Sequence, residues 1–176
     1  MSKVSGLVKQ ISDLAPEVSK KVASMVGAVV GDAASIHLEW IYDQKKLSGI
    51  VPEGQNPAFW NDSHNPYFTL PNGKYSCYAD EAVQTLNVMA ENNGIFDEQK
   101  VLEHYLEYFG DSKSPYQIAL AKRDPRTIHT GKPIEGPWIQ GTLVKMMKRH
   151  EQNIYPPGPK DTDEHDGLEV GKLNRN

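Results

Sequence analysis

The chain has 176 residues, 38% of them hydrophobic, with a formal net charge of −4, enough apolar side chain for one real core. Its 19 Lys and Arg are spread along the sequence, which excludes the concentrated positive patch that nucleic acid or an anionic membrane would need. One cysteine, Cys77, excludes an internal disulfide and points to a reducing, cytoplasmic compartment, and Met1 to Ser24 lacks the apolar run of a secretory signal.

In chain order, residues 1–21 read as a loose N-terminal arm and the start of a helix, with Pro16 suited to a first helical turn. Val22 to Ile41 is mostly Val, Ala, Met, Ile and Leu, so a helix there would be apolar on most faces and would need burial. The run is long enough to span a bilayer, but Asp32, His37 and Glu39 make that costly. At 3.6 residues per turn, Asp32, Ser35 and Glu39 share one stripe, and Gly31 beside them permits close approach of a backbone or ligand. Two acids on a buried stripe ask for a metal, a cation or hydrogen-bond donors, or they bridge neighbouring helices and do nothing else.

After Asp43 comes a long segment with Pro52, Pro57, Pro66 and Pro71 and no sustained period, which reads as a loop. Phe59, Trp60, Tyr67, Phe68 and Tyr75 imply that it packs down, as loop anchors or as stacking platforms over a site. A helix follows from Ala79 to Asn92, with Ala82, Val83, Leu86, Met89 and Ala90 as its apolar stripe and Asn93-Gly94 as its stop. Further helices are expected from Asp97 to Phe109, with Val101, Leu102, Tyr105, Leu106, Tyr108 and Phe109 facing in, and from Ser114 to Ala121, closed by Asp124-Pro125. Trp138 to His150 completes the series as a basic-ended helix. Without a strand pattern, the fold class is all-α: one helical domain over residues 22–150 and a polar tail over 151–176.

Asp80 and Glu81, at the start of the Ala79 helix, suit the positive end of a helix dipole, and they are also the oxygen donors a hard cation such as Mg²⁺ takes. His37, with no ligand-spaced partner, reads as a hydrogen-bonded core histidine. Cys77 has no adjacent base to activate it.

Gly27–Trp40, GAVVGDAASIHLEW, followed by Tyr78–Leu86, YADEAVQTL, resembles the N-terminal half of the ADP-ribosylglycohydrolase family, whose pattern is G-A-x-x-G-D in a buried helix and T-D-D-T opening a later one. Trp40–Asp43 and the Asn56–Pro66 segment are most similar to its J1-crystallin-like branch. The resemblance implies an all-α hydrolase fold with a magnesium pair, acting on ADP-ribose or an ADP-ribosylated substrate. Carried over, Glu39 is the catalytic glutamate, Asp32 binds substrate, and Asp80 and Glu81 are metal ligands. The pattern breaks at Ala79 and Ala82, where the family has threonines, and at Glu81, where it has a shorter acid. The family's second acid motif is not clearly present; Asp161-Thr162-Asp163-Glu164 resembles it but sits in a polar, solvated stretch. The chain therefore reads as truncated relative to that family, with weak or absent Mg²⁺ binding and hydrolysis. The C-terminal half of the fold, or another subunit, would cover apolar helix faces left exposed. Two alternatives stand beside a hydrolase: a catalytically silent ADP-ribose-binding protein and a structural crystallin.

Overall fold

The computed structural model describes residues 3–123 and 133–154. The Asp124-Pro125 stop, the Asp161–Glu164 motif and the tail beyond Ile154 lie outside the described residues. The fold is all-α: seven helices and one pair of two-residue strands among the described residues. The chain divides into two compact units, residues 1–64 with 71–75 and residues 65–70 with 76–176.

Unit one opens with α1 (Lys3–Ser12), helical where a loose arm was expected, which packs on α2 (Pro16–Ser35). Pro16 occupies the first turn of α2, where its missing N–H costs nothing. The helix starts at Pro16 as expected and runs through the Val22 stretch, but it stops at Ser35 rather than Ile41; Ile36–Trp40 form turns. Burial differs more than extent. Ala33 is the one buried residue of α2, while Val18, Met25 and Val30 are 47%, 41% and 48% exposed. Composition announced an apolar helix, but burial depends on what packs against it.

The segment expected as one long loop contains α3 (Gln44–Ile50). Its signal was Asp43, whose side chain accepts the backbone N–H groups of Lys45 and Lys46 and so caps the first turn. The rest of the loop is pinned to the end of α2: Phe59 N–H donates to the Ala34 carbonyl, His64 N–H to the His37 carbonyl, and Asn72 Nδ2 to the carbonyls of Phe59 and Trp60. Of the five aromatics, Phe68 is buried, but Phe59 and Tyr67 remain 44% and 55% exposed, so the loop is anchored mainly by its backbone.

Unit two is built on α4 (Cys77–Glu91), α5 (Glu98–Gly110), α6 (Pro115–Ala121) and α7 (Gly141–Glu151). Ser76, Asp97 and Ser114 cap the first three through their side-chain oxygens, so each starts within two residues of its expected place. Asn93 and Gly94, both with positive φ, end α4 as the sequence indicated. Helix α7 begins three residues after Trp138, and Lys148, Arg149 and His150 sit in its last turn. Strands β1 (Phe68–Thr69) and β2 (Ile134–Glu135) pair in parallel.

The core of unit two is Val101, Leu102, Tyr105 and Phe109 of α5 against Tyr116 of α6 and Leu143, Met146 and Met147 of α7. Phe109 is fully buried between rings, with centroids 5.3 Å from Tyr105, 5.0 Å from Tyr108 and 4.9 Å from Tyr116. Tyr108, expected to face in, is 37% exposed because its hydroxyl reaches inward while its ring stacks beside His104. On α4 the expected stripe is misplaced: Ala82, Leu86 and Ala90 are exposed, and the buried face is Cys77, Asp80, Glu81, Gln84 and Val88. That polar inner face is where the chemistry of unit two collects.

Candidate functional sites

The four acids singled out from the sequence fall into two groups, Asp32 and Glu39 in unit one and Asp80 and Glu81 in unit two. Asp32 lies in the last turn of α2, and Glu39 lies in the turns beyond, so they do not share a helix stripe as the spacing predicted. They still interact, because the turns fold Glu39 back. The pKa of Glu39 rises to about 7, first through burial and then through the charge of Asp32, against a hydrogen bond from the Trp40 side chain that lowers it. Glu39 Oε2 is buried with no hydrogen-bond partner. Trp40, the next residue, holds a left-handed backbone at φ 67°, a strained state for a bulky residue. His37, 5% exposed, shares a hydrogen bond through Nδ1 with the Trp60 carbonyl, which is the core role expected of it.

A carboxyl group with a pKa near 7 exchanges protons at neutral pH and so can act as an acid or a base. It also makes stability pH-dependent. Because the folded pKa lies above the ordinary 4.5, the folded state binds more protons between these values, and stability falls as pH rises from about 4.5 to about 7. Melting curves of Glu39→Gln should lose that slope while keeping the rest of the pH profile; an unchanged slope would remove Glu39 as its source.

In unit two, Asp80 is 5% exposed and is enclosed by neutral donors. Tyr116 donates to Oδ2 at 2.7 Å, Gln84 Nε2 to Oδ1 at 3.0 Å, and Tyr108 lies 3.3 and 3.2 Å from the two oxygens. Burial raises the Tyr116 hydroxyl pKa well above its ordinary value, with Cys77 and Asp80 adding, so it stays protonated and donates. Glu81 Oε1 accepts from Gln140 Nε2 and lies 3.5 Å from the Cys77 thiol. Its backbone carbonyl accepts from Tyr105 and Thr85, and burial lifts the Tyr105 hydroxyl to about 12, with Glu81 adding to the rise. His104 Nε2 hydrogen-bonds Gln84 Oε1, extending the network toward the surface.

Sequence reading missed the donors, because Tyr108, Tyr116 and Gln140 lie 28, 36 and 59 residues from their acids. Among the described residues no group of three or more His, Cys, Asp or Glu is placed to hold a metal. Three donors take most of the roughly four acceptor positions of the Asp80 carboxylate, so a cation there would compete with them for the lone pairs left.

Cys77 is 3% exposed, and burial, reinforced by Glu81, pushes its thiol pKa up. It should resist a thiol reagent in the native protein and react fully on unfolding. Rapid native labelling would show that unit two opens locally.

These features define an all-α protein whose acids sit in two separately built clusters, with no helix among the described residues long and apolar enough to cross a membrane. Its relationship is to the J1 crystallins. It is 30% identical to Crystallin J1A of Tripedalia cystophora over 138 residues, 78% of this chain and 39% of that one. Crystallin J1B of the same organism is 28% identical over 127 residues, 72% of this chain and 37% of the relative. The chain thus spans about two fifths of the length of the curated relatives it matches. No family model and no solved structure matches it.

Proposed function

We propose that this chain is a J1-crystallin-like member of the ADP-ribosylglycohydrolase family, in which the acids of α4 hold the helices together and hydrolysis of ADP-ribosyl bonds is weak or absent. The observation that carries this reading is the enclosure of Asp80: Tyr116, Tyr108 and Gln84 take most of the roughly four acceptor positions of its carboxylate, leaving little for an ion. Ala79 and Ala82, where the resemblance calls for threonines, remove two further oxygens, and Glu81 turns to Gln140. A reducing, cytoplasmic setting suits the single buried thiol. The exposed face of α2 is one that the rest of such a fold, or another subunit, would cover.

Millimolar Mg²⁺ should therefore raise the melting temperature very little, because stabilisation follows RT ln(1 + [L]/Kd) and vanishes when Kd exceeds the ion concentration. The triple variant Ala79→Thr, Glu81→Asp, Ala82→Thr should respond more strongly if the resemblance is real. A large response of the unmodified chain that disappears in Asp80→Asn would contradict the proposal.

The second reading, a working or ligand-binding relative with ADP-ribose as its ligand, is favoured by Glu39. A glutamate with a pKa of about 7 beside Asp32, with one buried oxygen unpartnered, retains the protonation behaviour of an acid–base group. Binding of ADP-ribose that is lost in Asp32→Ala, with no turnover, would establish the silent form of that reading.

A further inference from the structure

We propose that unit one carries a binding site for a small, uncharged ring compound bearing an N–H or O–H donor, in the cavity where α2 and α3 end. The cavity is about 500 Å³, within the size range of small-molecule sites. Gly31, Ala34 and Leu38 form one wall at the end of α2, and Leu47 and Val51 form the facing wall at the end of α3. These side chains ask for an apolar body. No lining residue is charged, so an ion entering the cavity would lose hydration with no counter-charge to replace it.

Of the polar side chains lining the cavity, Gln55 can both donate and accept, and the two serines select a donor. Ser35 Oγ donates to the Asp32 carbonyl at 3.0 Å, and Ser48 Oγ donates to the Gln44 carbonyl at 2.8 Å. Each hydroxyl has spent its one proton and turns only lone pairs to a ligand. Both serines lie in the C-terminal half of their helices, and the cavity reaches the end of each, where the dipole is negative. An N–H or O–H suits that end, and an anion does not. The site owes nothing to the acids discussed above and stands whether or not the hydrolase reading does.

Indole and 1-methylindole are the probes, alike in ring and differing in the donor, titrated into the full chain with amide chemical shifts as the readout. Indole should shift the amides of Ala34, Ser35, Leu47 and Ser48 saturably. Methylation should weaken binding about fivefold through loss of one hydrogen bond. A Cβ at Gly31 would meet nothing within 4 Å, so Gly31→Leu grows into open space without backbone conflict and should lower affinity at least tenfold, on the order expected when a side chain occupies the ligand's volume. Ser48→Ala, at an exposed position that tolerates the change, should weaken indole about fivefold and leave 1-methylindole unaffected. Three results would overturn the proposal: no saturable shift, equal affinity for the two probes, or indole binding unchanged in both Ser48→Ala and Ser35→Ala.

Discussion

Asp80→Ala should lower the unfolding free energy by about 3 kcal/mol, because it leaves two buried donors, the Tyr116 hydroxyl and the Gln84 amide, without an acceptor at about 1–3 kcal/mol each. Tyr108, 37% exposed, can turn to water and adds little. Tyr116→Phe alone should cost about 1–2 kcal/mol, since it removes the donor but spares Asp80 two others. In the double variant the losses should fall short of their sum, since the hydroxyl orphaned by the first change is removed by the second. Urea unfolding of the four proteins gives the coupling directly. Strict additivity would mean that Asp80 and Tyr116 do not share the bond the structure gives them.

Phe109→Ala should cost about 3–5 kcal/mol, the range for emptying a fully buried aromatic position. The cavity would lie between Tyr105, Tyr108 and Tyr116, two of which must also keep their hydroxyls on Asp80. These rings cannot collapse inward without breaking those bonds, so the upper part of the range is expected. Phe109→Leu, which refills most of the space, should cost far less. A loss under about 1 kcal/mol for the alanine variant would show that the core relaxes freely, contrary to close packing.

The two variants act on one structure, and that structure explains what the sequence revealed. Caps and stops were legible because they are local: Pro16 at the start of α2, Ser114 at the start of α6, and Asn93-Gly94 after α4 each act through the nearest turn. The inner face of α4 was not. Counting apolar residues pointed to Ala82, Leu86 and Ala90, whereas the buried face is polar and closes only when α5, α6 and Gln140 bring donors to it. No periodicity within α4 carries that information, because the partners are distant in sequence. Glu39 shows the reverse: its helix ends at Ser35, before reaching it, yet the turns that follow bring it back to Asp32. The acids were legible as chemically unusual residues; the company each keeps was not.

That company decides between a metal centre and a structural cluster in unit two. The measurement that bears most directly on it is turnover of an ADP-ribosylated protein by the full chain at millimolar Mg²⁺, with release of ADP-ribose followed against a chelated control and against Asp80→Asn. The Asp80 enclosure and the substituted threonine positions predict release indistinguishable from the chelated control. Release that requires Mg²⁺ and is abolished in Asp80→Asn would contradict the account, because it would mean that an ion binds Asp80 in competition with Tyr108, Tyr116 and Gln84 and does chemistry there.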